Sequence, residues 1–250
     1  MRPLLIIALV VFPACERSQV VAGDGVATER AFSLAEVNAV RVAGPMSVQV
    51  LVGPGFSPTL RLEGDANVVA ALGRTVQARA LVLDAKALAP SLPLNVTVTL
   101  PSLTALHAAD RAVVTANTMH GGRLELSAEA SARVLVNGVD ADSLVVSVAR
   151  TSTVDAAGRA RVVKVSASDV GTAALGSLRA QVALVEATEL STVRVYALEA
   201  VRGEASRASR VEVVGAPALR SLSADGDSSV RPGAGLLPTA EVEGRAPGEG

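Results

Sequence analysis

The sequence predicts an all-β protein built as a β-solenoid, in which short strands stack coil upon coil. Three observations support this fold class. An apolar residue recurs every 18 to 20 residues, polar and apolar side chains alternate around it, and a small residue always stands two positions before it. A β-sandwich of many short strands is the alternative that the same pattern leaves open.

The repeat is defined by one recurring position, which we call the anchor. The anchors are Val114, Val134, Val154, Ala173, Val193, Val211 and Val230. Most residues eight and six positions before an anchor are apolar, whereas the residue between them is always polar. The polar residues at this position, −7, are His107, Ser127, Ser147, Ser166, Glu186, Glu204 and Ser223. The alternation therefore predicts a strand with one buried and one outward side.

The position two residues before each anchor predicts a tight corner, because only small side chains occupy it. These residues are Ala112, Ala132, Ser152, Gly171, Ser191, Ser209 and Ser228. No apolar pattern with the 3.6-residue period of a helix occurs within a repeat, which disfavours a helix-containing solenoid. Coils stacked about 4.8 Å apart would make seven repeats a rod of roughly 30 Å.

The domain organisation follows from this pattern. We expect a signal peptide at residues 1–14, a tether at 15–30, a β-solenoid domain at 31–232 and a disordered tail at 233–250. Within the domain, residues 31–100 are predicted as N-terminal capping strands and 101–232 as repeat coils. The strands predicted in the capping part are 37–42, 47–52, 59–63, 80–83 and 94–100, with one or two helical turns at 67–72.

The first residues have the features of a bacterial export signal. Arg2 supplies a short positive segment, and residues 4–12 are apolar but too few to span a bilayer. Pro13, Ala14 and Cys15 follow, and this junction resembles a bacterial lipobox, although Phe12 stands where leucine is usual. The resemblance implies that Cys15 is acylated and anchors the protein to a membrane. An ordinary signal peptide with an incidental cysteine is the alternative.

Several stretches of the chain resemble a known family. AFSLAEVNAVRVAGPMSVQVLVG, TVQARALVLDA and VTVTLPSLTAL, followed by the repeats, are similar to the bacterial envelope domain of unknown function called the putative auto-transporter adhesin head, or GIN, domain. The resemblance covers about residues 31–232. It implies a right-handed parallel β-helix with about 19–20 residues per coil, often behind a lipoprotein signal. Ala128, Ala167 and Ala224 stand where the family usually has glycine.

The composition excludes some functions. The net charge is −1 and no basic stripe occurs, so we expect no nucleic-acid partner. A single cysteine allows no internal disulfide. Only one tyrosine, three phenylalanines and no tryptophan are present, and only Tyr196 projects from a repeat, which weakens a lectin function without excluding it.

The candidate chemical groups are few and scattered. His107 and His120, with Asp110 nearby, could contribute to a metal site or a catalytic base, but a metal site needs three or four converging ligands. The pairs Asp140 with Asp142 and Asp225 with Asp227 could serve polysaccharide cleavage only if one carboxyl had a raised pKa. We therefore predict no catalytic, metal or cofactor site. Charged residues of both signs at position −4 suggest ion pairs along one edge: Asp110, Arg150, Asp169, Glu189 and Arg207.

These observations favour a non-enzymatic, lipid-anchored protein of the cell envelope, on the outer membrane, with its solenoid facing the periplasm or the cell surface. Its expected partners are the membrane, through the lipid anchor, and an envelope protein or extracellular polymer. A polysaccharide-active enzyme on a parallel β-helix and a purely structural periplasmic module are the alternatives.

Overall fold

The structure, a computed structural model, describes residues 20–233. The predicted signal peptide, Cys15 and all but the first residue of the predicted tail lie outside the described residues. One helix, α1, spans Ala66–Ala71. The strands are β1 Val21–Ala22, β2 Ala27–Ser33, β3 Ala39–Ala43, β4 Ser47–Val52, β5 Thr59–Asp65, β6 Gly73–Gln77, β7 Ala80–Asp84, β8 Leu88–Ala89, β9 Asn95–Leu100, β10 Ala105–Ala109, β11 Val113–Ala116, β12 Met119–Ala128, β13 Arg133–Val148, β14 Thr153–Ala167, β15 Thr172–Ala187, β16 Thr192–Ala205, β17 Arg210–Val214, β18 Leu219–Ala224 and β19 Ser229–Pro232.

The repeats form the coils of a parallel β-solenoid. Val114 pairs with Val134, Val134 with Val154, and each later anchor with the next, through to Val230. The residues at position −8 follow the same register, from Leu106 to Leu222. The predicted β-solenoid with about 19–20 residues per coil is therefore confirmed, and the β-sandwich alternative is wrong.

The interior of the coils is filled by stacked aliphatic side chains. Leu126, Val134 and Leu144 are almost completely buried, as are their counterparts in neighbouring coils. Burying one such side chain contributes about 1.5–3 kcal/mol relative to leaving it exposed. Because a coil alone would leave these side chains exposed to solvent above and below, its stability depends on the neighbouring coils.

Each repeat turns at a corner whose backbone is unusual. Two consecutive non-glycine residues, at positions −4 and −3, have positive φ in six coils; Arg150 (53°) and Thr151 (61°) are one such pair. The N–H of Thr151 donates to the Asp169 carbonyl of the next coil, so the parallel ladder continues through the corner. The corner is tight as predicted: six of the seven residues at position −2 are buried, all but Ser228. A Cβ on Gly171 would lie 2.8 Å from the Ser168 carbonyl oxygen.

The strands of the N-terminal part stack in an order that differs from their order along the chain. The layer made by β3 and β4 lies between the layer of β7 and β9 and the first repeat, β10 and β11. Antiparallel strands lie at the outer edge of this stack: β5 pairs with β9 and β2, and β6 pairs with β7. The helix predicted at 67–72 is observed as α1, one residue earlier.

The tether predicted for residues 15–30 is wrong for its described part. Val21 and Ala22 pair with β8, and the first four residues of β2 pair with β5. The physical reason is Asp65, which is buried and accepts hydrogen bonds from the N–H groups of Gly25, Ser91 and Leu92. These hydrogen bonds hold β1 and β2 in place. Because they involve one polar residue, they leave no alternating apolar pattern from which a strand could be predicted.

Candidate functional site

Each repeat coil presents three outward faces, two of which carry regular polar columns. The anchor face contains the strand residues around each anchor, and the serine face contains positions −10 to −6. The third face joins them. Since neighbouring coils are in register, equivalent outward residues stack into columns along the solenoid axis.

The anchor face has a column of threonines at its centre. Thr153 pairs with Thr172, and Thr172 pairs with Thr192. Their side chains are partly exposed, and their hydroxyl groups make no hydrogen bond to any residue within 20–233. These hydroxyls can both donate to and accept from a ligand.

The serine face has a similar column next to a groove of about 460 Å³. Ser127, Ser147 and Ser166 stack in register, and His107 precedes them beside Arg41. Burial lowers the pKa of His107, and the positive charge of Arg41 lowers it further. His107 is therefore held as the neutral imidazole near pH 7.

His107, His120 and Asp110, which were considered as a possible metal site or base, contact different partners. His107 pairs with Ser127, whereas His120 pairs with Asp140 and its ring contacts the Thr118 hydroxyl at 2.8 Å. Asp110 instead forms an ion pair with Lys86 at 3.1 Å. Among the described residues, no group of three histidine, cysteine or acidic side chains could hold a metal ion.

Asp140 and Asp142 each lie close to an arginine of the next coil. Arg159 donates two hydrogen bonds of 2.8 Å to the Asp140 carboxylate, and Arg161 lies 3.8 Å from Asp142. The hydrogen bond from Arg159 lowers the pKa of Asp140. A general acid for glycoside cleavage needs the opposite shift.

The Asp225 and Asp227 pair likewise lacks the features of a catalytic pair. The Asp225 carboxylate accepts from the Ser228 hydroxyl at 2.6 Å and from the Arg207 N–H at 3.0 Å. Both hydrogen bonds lower the pKa of Asp225, the Ser228 contact most strongly. Asp225 therefore stabilises the last corner of the solenoid as a carboxylate.

The ion pairs predicted along position −4 form in part. Arg207 pairs with Glu189 of the preceding coil, both at position −4. Arg150, however, pairs with Glu129, which is at position −5. All four side chains are well exposed, so each pair contributes less than about 1 kcal/mol.

A second groove, of about 610 Å³, lies where the anchor face meets the third face. We call it the arginine groove. Its lining residues are Asp155, Ala174, Gly176, Ser177, Arg179, Arg194, Tyr196 and Val214. Of these residues, only Tyr196 was singled out from the sequence, as the aromatic residue that projects from a repeat.

The arginine groove arises from an irregularity in coil length. The register between β15 and β16 shifts between Leu175 and Arg179, because β15 contains extra residues there. Arg179 consequently pairs with Tyr196, and the extra residues form one wall of the groove. The signal in the sequence is the anchor spacing, which falls from 20 residues before Val193 to 18 after it.

Comparisons with known proteins agree with this architecture. The family described as "Putative auto-transporter adhesin, head GIN domain" matches residues 36–217. A search of curated proteins finds no match. Within residues 20–233, no helix has the length and apolarity that crossing a bilayer requires.

Several solved structures are similar to this one. A "putative adhesin" from Bacteroides fragilis has a TM-score of 0.79 at 18% identity, covering 85% of this chain and 99% of that chain. A "putative lipid binding protein" from Parabacteroides distasonis has a TM-score of 0.69 at 14% identity, covering 86% and 99%. A "putative adhesin" from the same species has a TM-score of 0.64 at 19% identity, covering 85% and 100%. At these identities the similarities show the fold alone.

Proposed function

The chain belongs to the family of putative auto-transporter adhesin head GIN domains, and from this premise we propose that it is a non-enzymatic contact protein of the cell envelope. In this proposal Cys15 carries the lipid anchor, on the outer membrane. The anchor face of the solenoid binds an extended partner, either a polymer or a protein segment. The description of two structural neighbours as adhesins supports a contact role.

The observation that carries this proposal is the threonine column of the anchor face. Thr153, Thr172 and Thr192 present hydroxyl groups that bind no residue within 20–233, at the spacing of the coils, about 4.8 Å. An extended partner lying along the solenoid axis meets the same polar group at each coil. Many weak contacts of this kind add up when they belong to one partner chain.

The structure gives little support to the enzymatic alternative. Asp140 and Asp225 are held as carboxylates by their hydrogen-bond donors, although one carboxyl of a glycosidase pair must act as an acid. A contact role requires no such group. The packed interior likewise leaves the outward faces as the surfaces available to a partner.

The test is binding of the purified chain to whole cells, extracellular matrix and peptidoglycan, with a broad polysaccharide panel assayed for turnover. We expect saturable binding that the double change Thr153→Arg with Thr172→Arg abolishes, because two long side chains cover the column. Ser147→Arg with Ser166→Arg adds the same charge and bulk on the serine face, and it should leave binding intact.

Two results would contradict the proposal. Absence of binding to every surface favours a purely structural module. Turnover of a polysaccharide favours the enzyme, above all if Asp225→Asn or Asp227→Asn abolishes it.

A further inference from the structure

The arginine groove combines three kinds of recognition group within one concavity. Arg179 and Arg194 supply guanidinium groups, Tyr196 supplies an aromatic ring, and Asp155 supplies a carboxylate acceptor. A volume of about 610 Å³ lies within the range of roughly 300–1,000 Å³ usual for small-ligand sites.

The two arginines have different roles. Arg194 lies 3.5 Å from Glu212, and its side chain extends across Gly176, where a Cβ would come within 3.0 Å of the Arg194 Nε. This packing fixes the direction of Arg194. Arg179, by contrast, is exposed and has no ion pair within residues 20–233. Arg179 is therefore the cation with the least electrostatic compensation in the groove.

The contacts of Arg179 differ from those of the equivalent arginine one coil earlier. Arg159 pairs with Arg179 across the sheet, but Arg159 is bound to Asp140 by two hydrogen bonds. The partner of Arg179 on its other side is Tyr196 rather than an acidic residue. A guanidinium with both edges available can bind a carboxylate in bidentate fashion.

We infer that the arginine groove binds a carboxylated sugar unit, such as a uronate, within an extended polysaccharide. The sugar's carboxylate pairs with Arg179, its apolar ring face packs on Tyr196, and its hydroxyl groups donate to Asp155. A phosphate or sulfate ion alone would leave the ring of Tyr196 unused, because such an ion offers no apolar ring face. The polymer continues from the groove along the threonine column, so this inference rests on the proposed function and names the ligand class.

The test is the affinity of the full chain for oligogalacturonate, with neutral dextran and sulfated dextran as comparison polymers. We expect oligogalacturonate to bind and neutral dextran to bind at least about tenfold more weakly, since a charge-assisted contact is worth about that factor. Sulfated dextran distinguishes a general polyanion effect: equal binding of both anionic polymers would overturn the inference.

Variants locate the contact. Arg179→Gln should weaken oligogalacturonate binding about tenfold, and Tyr196→Ala by a similar factor, whereas Tyr196→Phe keeps the ring and should bind normally. Arg123→Gln removes another exposed arginine, which lies outside the groove beside Glu125, and is the control. Equal effects of Arg179→Gln and Arg123→Gln would overturn the assignment to this groove.

Failure of the sugar inference and failure of the proposed contact function give different results in these experiments. If Arg179→Gln loses oligogalacturonate binding but the threonine variants do not lose cell binding, the groove is a sugar site and the wider contact proposal fails. If oligogalacturonate does not bind but the threonine variants lose cell binding, the contact role stands and the sugar inference is wrong.

Discussion

At the scale of single residues, the coil corners depart most from ordinary backbone preferences. The corner residues at positions −4 and −3 have φ between 49° and 70° without being glycine. A left-handed conformation costs a residue with a Cβ about 1–2 kcal/mol. The cost is largest for β-branched residues such as Thr151 and Val170. The solenoid offsets it through the hydrogen bonds that continue through each corner.

This backbone strain predicts a stabilising substitution at Val170. Val170 has a φ of 65° and a side chain that is half exposed, so Val170→Asn relieves strain and loses little packing. We expect about 1 kcal/mol of added stability, measured as a higher midpoint in chemical denaturation. Val113→Asn is the control, because Val113 is similarly exposed within a strand and should be destabilised by asparagine. A loss of stability in Val170→Asn would show that the corner is not strained.

Gly203 provides the opposite case, in which a side chain cannot be accommodated. Its φ is 141°, and a Cβ would lie 1.7 Å from the carbonyl oxygen of Val185 in the preceding coil. We expect Gly203→Ala to lower the free energy of unfolding by about 3 kcal/mol, through strain and forced separation of two coils. The matched change Gly226→Ala meets no atom within 4 Å and should have little effect. Equal melting temperatures for the two variants would contradict the described register.

At the scale of elements, the sequence predicts what depends on periodic burial and misses what depends on single contacts. The repeat strands were predictable because inward residues recur at each anchor. The tight corner was predictable from the small residue at −2, but its positive φ was not, since Arg150 and Thr151 give no glycine signal. The layer of β3 and β4, inserted out of chain order, depends on pairing between distant strands.

The arginine groove was likewise predictable only in part from the sequence. Tyr196 was recognised because it projects from a repeat, but Arg179 and Arg194 resemble any exposed arginine in the sequence. In the sequence, the shortened anchor spacing after Val193 marks the register shift between β15 and β16 that forms the groove. A change in the repeat period therefore indicates where a coil is irregular. It does not identify which residues line the groove that the irregular coil forms.

The attachment of β1 and β2 predicts a specific pH dependence. Burial alone would raise the pKa of Asp65, but the N–H donors of Leu92, Gly25 and Ser91 outweigh it and lower the pKa. A lowered folded-state pKa means that Asp65 stabilises the fold above its unfolded pKa of about 3.9, and that this contribution is lost as pH falls through the folded value.

We therefore expect Asp65→Asn to lower the melting temperature at pH 7 by on the order of 5 °C and to flatten the acid-induced loss of stability below about pH 4. The measurement is thermal unfolding from pH 2 to 8. Asp142→Asn, which changes an exposed carboxylate 3.8 Å from Arg161, should leave the profile unchanged. The same acid slope in Asp65→Asn and the unmodified protein would refute this role for Asp65.

At the scale of the whole molecule, the described coils provide an extended surface with polar columns and the arginine groove. Away from the register shifts, stacking gives an outward residue a counterpart in the next coil, so a single contact is repeated along the axis. Such a surface suits an extended partner better than a compact ligand. Its role in adhesion depends on whether the solenoid is presented to the surroundings of the cell.

The most direct test of this account is the protease accessibility of the solenoid on intact cells, followed with an antibody to residues 20–233. A periplasmic marker reports cell integrity, and lysed cells show that the protease can digest the solenoid. The account predicts digestion on intact cells while the marker stays protected. Protection of the solenoid until lysis would contradict an adhesive role and place its contacts within the envelope.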